Sequence, residues 1–320
     1  MGLTPRRAWA GPLFAVLGVL GFSVKAILIK LAYAWHPIDA VTLLALRMLF
    51  SVPFFVAMAW WASRSRTTRP LTRADWKSLV LLGFVGYYLA SLLDFMGLAY
   101  ITAALERLVL FTYPTMVVLL SALILGKPIT RRAALASLLS YAGIVLVFLH
   151  DLQVGGDASA LWTGAALVFA SSVLYALYLV GAGGLIARIG SMRFISWAML
   201  SSAAFVLLQF VATRDLALLR VPPSIYGISL AMAVFCTVLP TWLIAEAIRR
   251  IGANASSLIG SLGPLFTIGL GAVILGEPMH WIQLAGAALV LTGVTLVTLR
   301  PRADGASAAS GPGPGMAPGS

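Results

Sequence analysis

The sequence predicts an all-α membrane protein with ten transmembrane helices, arranged as two inverted five-helix repeats with both termini in the cytoplasm. Three observations support this prediction. The chain of 320 residues is 61% hydrophobic and only 10% charged, whereas about a quarter of the residues in a soluble domain are charged. Its apolar residues occur in runs long enough to cross a bilayer. One phrase, LILGKP at 123–128, returns almost unchanged as VILGEP at 273–278.

Ten apolar runs of spanning length follow one another along the chain. Each must be helical, because the bilayer core offers no water to hydrogen-bond an open backbone. The loops between the runs are short, so no soluble domain is expected. The predicted spans lie near 12–34, 39–61, 77–99, 104–125, 131–149, 161–183, 194–212, 224–247, 254–275 and 281–299.

Lys and Arg residues set the predicted orientation, because they accumulate in cytoplasmic loops. With the N-terminus inside, 16 of the 22 fall in cytoplasmic segments, 3 in external segments and 3 within spans. Arg107 is one of the three external residues. Membrane orientation therefore accounts for the net charge of +12, and no nucleic-acid partner is expected.

The repeated phrase belongs to a longer internal repeat. Residues 114–149 and 264–299 align without a gap and share 12 identities. Because each half holds five helices, an odd number, the second half must enter the membrane upside down. Two such halves around an axis in the membrane plane are typical of secondary transporters. In both copies a glycine, Gly126 or Gly276, predicts a left-handed helix end, and the proline that follows cannot continue the helix.

These spans divide the chain into five predicted segments. The last of them is rich in Gly, Pro, Ser and Ala, which favours disorder. The segments are a cytoplasmic N-terminus (1–11), the first repeat (12–149), an external linker (150–160), the inverted second repeat (161–300) and a disordered cytoplasmic tail (301–320).

The repeated pattern resembles that of EamA-type members of the drug/metabolite transporter superfamily. Each copy has a proline, eleven further residues and then GKP (114–128) or GEP (264–278), followed by a helix that contains a glycine. The stretches 25–33, 40–50 and 87–115 also resemble the first half of bacterial members. The resemblance covers nearly the whole chain. It implies the fold above, a bacterial inner membrane and the export of a small molecule, but it does not specify that molecule.

Charged residues inside the spans mark the predicted solute site, because an ionised group in a bilayer needs a partner or water. Lys25 lies near the middle of the first span, and Asp94 and Glu106 are the acids available to it in the same half. A pair of Lys25 with one of these acids is predicted. Arg47 lies in the middle of the second span. The alternatives are a purely structural pair and a headgroup location for Glu106 and Arg107.

Uncharged polar residues at helical spacing complete the predicted cavity. Tyr87 and Ser91 share one face of the third span with Asp94. Pro114 and Pro264 occupy equivalent mid-span places, where a proline frees a backbone carbonyl. The alternatives are simple packing kinks, serines between helices and tyrosines at the membrane interface. The other residues assigned to the cavity are Tyr113, Tyr175, Tyr178 and Ser261.

Together these features predict a secondary transporter that exports a small amino-acid-like solute, with acidic or zwitterionic molecules favoured. A channel-like facilitator is the first alternative, and a membrane receptor or scaffold is the second. The expected partners are the solute and membrane lipid, while protons as the coupling ion and a homodimer are left open. The sequence contains no enzyme motif, metal-ligand spacing or phosphate-binding loop. No catalytic residue, metal or cofactor is therefore predicted.

Overall fold

A computed structural model describes residues 9–64, 70–126, 128–154 and 157–298. Within these ranges, nine helices are long and apolar enough to cross a membrane. A further helix, α10 (Trp281–Thr298), follows them, and its apolar part is shorter. The nine are α1 (Ala10–Trp35), α2 (Ala40–Ser63), α3 (Arg73–Gly97), α4 (Ala103–Leu125), α5 (Arg131–Val154), α6 (Ala158–Ile189), α7 (Ser191–Thr213), α8 (Pro223–Gly252) and α9 (Leu258–Leu275). The predicted tail, most of the predicted N-terminus and part of the predicted linker lie outside the described residues.

The repeated phrase ends a helix in both copies, as its glycines predict. Gly126 has φ 65° and Gly276 has φ 66°, a left-handed conformation that a residue with a Cβ atom rarely adopts. After the first copy, Thr130 starts α5 by accepting a hydrogen bond from the backbone N–H of Ala133 at 3.2 Å. The glycine in each copy therefore determines where α4 and α9 end.

Helices α4 and α9 are both interrupted, α4 near its middle and α9 shortly after its start. The first consists of Ala103–Leu110 and Tyr113–Leu125, and the second breaks just before Gly263–Leu270. Pro114 and Pro264, which the sequence places in mid-span, stand in the first turn of the segment after the break. Proline suits that position because a backbone N–H there has no partner within the helix.

Three further stretches depart from regular α-helix. They form π-helical turns, in which the hydrogen bonds span five residues, and such turns are frequent at functional sites. The stretch in α3 carries Tyr87. The three are Gly83–Leu89 in α3, Val234–Val238 in α8 and Gly271–Leu275 in α9.

The helices pack in pairs that join the two halves of the chain. Helix α1 lies against α8, α3 against α6, α2 against α7 and α5 against α10. Glycines allow the closest approaches, because a Cβ atom on Gly143 of α5 would collide with the backbone oxygen of Gly286 in α10. Gly293 of α10 is similarly close to the backbone oxygen of Ala136. Packing between the halves thus places side chains of both around one interior.

Candidate functional site

Five charged residues of the first four helices form one group, the charged cluster, defined as Lys25, Arg47, Asp94, Glu106 and Arg107. Its central contact joins α1 to α3. Lys25 Nζ lies 2.5 Å from Asp94 Oδ2. The Asp94 side chain is only 3% exposed, whereas Lys25 retains 17%. Of the two acids predicted as partners of Lys25, Asp94 is the one in contact. The Lys25 side chain remains partly exposed.

Arg47 enters the cluster from α2 and lacks an acidic partner in the described part of the chain. Its Nη2 donates a long hydrogen bond of 3.4 Å to Ser91 Oγ on α3. Its guanidinium group lies 4.9 Å from the centre of the Phe95 ring, a distance at which cation and ring attract. The residue is 4% exposed, and its Nε has no hydrogen-bond acceptor among the described residues. Arg47 is thus a buried cation whose hydrogen-bonding capacity is incompletely used.

Glu106 and Arg107 lie inside the protein. Glu106 is fully buried and Arg107 is 6% exposed. The reason is local, because Thr102 caps α4 by accepting a bond from the Leu105 backbone N–H, and both residues therefore fall within a formed helix. Arg107 donates to the backbone oxygen of Phe22 at 2.6 Å and to Thr267 Oγ1 at 3.1 Å. It thereby joins α4 to α1 and α9, a contact that the external assignment did not predict.

Four tyrosines assigned to the cavity by sequence come together beside the charged cluster, and we call them the tyrosine cluster. Tyr87 and Tyr178 bring their hydroxyl oxygens to 2.9 Å. The ring centres of Tyr113 and Tyr175 are 5.2 Å apart, and those of Tyr175 and Tyr178 are 5.6 Å apart. Because α3, α4 and α6 each contribute to it, the tyrosine cluster presents a continuous aromatic surface with hydroxyl groups.

The residues at the helix breaks mainly satisfy backbone groups. Thr112 Oγ1, beside Pro114, donates to the Val109 carbonyl at 2.8 Å. Ser261, assigned to the cavity by sequence, donates to the Leu258 carbonyl at 2.6 Å. Pro264 itself is buried. Hydroxyl groups at both breaks thus donate to nearby backbone carbonyls of the same chain.

The structure adds a contact between the halves that the sequence analysis missed. Glu277, of the second GEP phrase, accepts a hydrogen bond from the Ala103 backbone N–H at 3.0 Å. Lys30 Nζ lies 3.8 Å from the same carboxylate oxygen and donates to the Ile101 carbonyl at 2.8 Å. Glu277 therefore holds the start of α4 and the later part of α1. The signal available in the sequence was the difference between the two copies, which have Lys127 and Glu277 at equivalent positions.

The arrangement is suited to binding and moving a polar solute. The charged cluster offers cations and hydrogen-bond acceptors in a low-dielectric interior, and the tyrosine cluster offers aromatic and hydroxyl contacts. Among the described residues, no group of three or more His, Cys, Asp or Glu side chains could hold a metal ion. The fold and this site define an integral multi-pass membrane protein with buried polar groups between its helices.

Comparison with known proteins gives the family. The sequence profile of the EamA-like transporter family matches residues 9–149 and again 162–299. The chain belongs to this family. Its two matches coincide closely with the two predicted repeats. Family membership indicates a transporter rather than an enzyme.

Individual relatives are named as transporters. The chain is 33% identical over 304 residues to the uncharacterized transporter YcbK of Bacillus subtilis (strain 168). The alignment covers 90% of this chain and 94% of that protein. The chain is also 26% identical over 246 residues to a probable terminal-alkyne amino-acid exporter of Streptantibioticus cattleyicolor. This alignment covers 77% of this chain and 80% of that protein.

A solved crystal structure shares the fold. It superposes with a TM-score of 0.62 at 20% identity, and the match covers 90% of this chain and 96% of that one. At this level of identity the likeness concerns the fold alone.

Proposed function

We propose that the protein is a secondary transporter that exports a small acidic or zwitterionic, amino-acid-like solute across a bacterial inner membrane. The observation that carries the proposal is the charged cluster, because ionised groups deep within membrane helices mark solute and ion pathways by default. Family membership supports the general activity. The named amino-acid exporter among the relatives supports the class of solute.

The mechanism we propose is alternating access between two inverted five-helix repeats, with both termini cytoplasmic. Its support is the pairing of the helices. If α1–α5 and α6–α10 exchange places, the α1–α8 contact becomes the α6–α3 contact, and the α2–α7 and α5–α10 contacts map onto themselves. The paired breaks in α4 and α9 also exchange. Discontinuous helices at corresponding places are a feature of such transporters and lie at their solute sites.

The charge balance of the charged cluster favours a solute with a carboxylate. Three cations (Lys25, Arg47 and Arg107) face two acids (Asp94 and Glu106). Arg107 is already engaged by Phe22 and Thr267, but the Arg47 Nε has no acceptor among the described residues. A solute carboxylate at Arg47 or Lys25 would supply the missing negative charge, and the tyrosine cluster would contact an apolar side chain.

The test is solute exchange in proteoliposomes that contain the purified full chain. Vesicles loaded with an unlabelled mixture of amino acids should accumulate labelled amino acids by counterflow, which a transporter shows and an open channel does not. Flux that never saturates and shows no counterflow would favour the channel-like alternative. Binding without flux would favour a receptor. The matched control is the Glu246→Gln variant, because Glu246 pairs with Arg249 and Arg250 at a helix end, away from the charged cluster.

A further inference from the structure

Helices α3 and α7, which belong to different halves of the chain, lie side by side and run in the same direction. Contacts one helical turn apart on both helices join them. These are Trp76–Trp197 with ring centres 4.8 Å apart, Val80–Ser201 with a hydrogen bond of 3.3 Å, and Phe84–Phe205 with ring centres 4.9 Å apart. A Cβ atom on Gly83 would lie 2.5 Å from the Ala198 backbone oxygen, so main-chain packing holds the two helices together here.

An apolar groove of about 590 Å³ follows this line of contacts. Its apolar wall is open to the surroundings, because Val80 is 42% exposed and Leu81 is 60% exposed. From Trp76 to Phe84 the helix rises about 12 Å, which is close to the roughly 15 Å that one leaflet contributes to the hydrocarbon core. The groove therefore has the length and the chemistry to hold an acyl chain. Its lining residues are Trp76, Lys77, Val80, Leu81, Phe84 and Phe205.

One end of the groove carries two cations. Lys77 lines the groove, and Arg73 precedes it by one turn on the same face of α3. Both are exposed, and within the described ranges neither forms an ion pair. The neighbouring acid is already occupied, since Asp75 accepts a hydrogen bond from the Thr72 backbone N–H at 2.8 Å and pairs with Arg188. Like charges one turn apart repel, and an anion between them would remove that repulsion.

We propose that the groove binds one anionic phospholipid. The phosphate contacts Arg73 and Lys77, and one acyl chain lies along the apolar lining. Basic pockets between membrane helices bind anionic headgroups, and Trp76 stands beside the cations, as amphipathic rings do at the edge of the hydrocarbon core. The site is on the lipid-facing surface and does not rest on the proposed transport function. Because its lining comes from α3 and α7, the bound lipid contacts both halves of the chain.

Native mass spectrometry tests the headgroup contact. The purified full chain in detergent is titrated separately with phosphatidylglycerol and with phosphatidylcholine of identical acyl chains. The wild type should bind one phosphatidylglycerol about tenfold more tightly than phosphatidylcholine, since two cations meet a headgroup of net negative charge. Lys77→Gln should lower this preference roughly fivefold, and the Arg73→Gln, Lys77→Gln double mutant should remove it.

The matched control is Arg131→Gln, which removes an exposed arginine at the start of α5 and should keep the preference. Equal affinity of the wild type for the two lipids would overturn the proposal. An equal loss of preference in Lys77→Gln and Arg131→Gln would also overturn it, because the attraction would then be a property of the whole basic surface.

Two further measurements test the seat of the acyl chain. Val80→Phe fills the groove and should weaken phosphatidylglycerol binding several-fold, whereas Leu138→Phe, at a 67% exposed position on α5, should not. In vesicles of phosphatidylcholine, phosphatidylglycerol with brominated acyl chains should quench tryptophan fluorescence at low mole fractions, and Trp76→Phe should lose part of this quenching. Wild-type affinity in Val80→Phe, or an unchanged quenching curve in Trp76→Phe, would show that the acyl chain does not lie in the groove.

Discussion

At the scale of single residues, Lys25 and Asp94 form a pair that we do not expect to stabilise the fold. Desolvation of two charges offsets their attraction, whereas removal of one partner leaves an unpaired buried charge. Lys25→Met or Asp94→Asn alone should therefore lower the free energy of unfolding by about 3–5 kcal/mol, and the double mutant should lose less. Denaturant unfolding in detergent measures these changes, and counterflow should be absent in all three variants.

The Glu246→Gln variant serves as the control for this prediction, because its ion pairs involve exposed arginines. It should unfold and transport like the wild type. A Lys25→Met, Asp94→Asn double mutant that folds well and shows normal counterflow would place the solute site elsewhere. It would also reduce the pair to a structural contact.

Residue-scale predictions from the sequence depend on energetic cost. A charge in mid-span is costly, and this argument predicted an acidic partner for Lys25 without deciding between Asp94 and Glu106. It did not predict the contacts of Arg107, because a residue near the start of a span can be placed in headgroups or in the interior at little apparent cost. Its contacts come from Phe22 and Thr267, which lie 85 and 160 residues away. No local pattern brings such distant groups together.

At the scale of helices, the breaks before Pro114 and Pro264 should matter for transport more than for stability. Alanine at either position permits a continuous helix through the break, and it should change the free energy of unfolding by only about 0.4–1 kcal/mol. Counterflow should nevertheless fall in Pro114→Ala and in Pro264→Ala. Pro53→Ala is the control, because Pro53 lies inside α2 and has no counterpart in the other half. Normal flux in the Pro114→Ala, Pro264→Ala double mutant would make the breaks simple packing features.

Glu277 provides a second helix-scale prediction, since it joins the end of α9 to the start of α4. Glu277→Ala removes the acceptor of the Ala103 N–H and the partner of Lys30. A hydrogen bond to a charged group contributes about 1.5–3 kcal/mol, so unfolding should become easier by a comparable amount. Glu277→Gln keeps an acceptor and should recover part of this loss. Equal stability of wild type and Glu277→Ala in denaturant would show that the contact contributes nothing.

Helix ends were easier to predict than irregularities within helices. A glycine followed by a proline at 126–128 or 276–278 determines a helix end within a few residues, so the left-handed Gly126 and Gly276 followed from sequence. The π-helical turns did not, because apolar residues such as those of Val234–Val238 suit either helix type. Which hydrogen bonds form there depends on packing against other helices.

At the scale of the whole molecule, the proposed orientation can be tested independently of transport. The 16-to-3 distribution of Lys and Arg between the two sides predicts that residues 62–75 and both termini are cytoplasmic and that 150–160 are external. Ser63 and Ser159 are exposed in these two regions, so cysteines introduced at these positions can be reached from solution. Native Cys236 is only 2% exposed and should give little background.

An impermeant thiol reagent added to intact cells should label Ser159→Cys strongly and Ser63→Cys only after the membrane is permeabilised. The expectation follows from the energy needed to move several arginines across a bilayer, which keeps the basic loops on the side of synthesis. Full labelling of both variants after permeabilisation is the control for accessibility. Strong labelling of Ser63→Cys in intact cells, with Ser159→Cys protected, would reverse the orientation. It would place the Glu277 contact, and the ends of α1 and α3 nearest the charged cluster, on the cytoplasmic side.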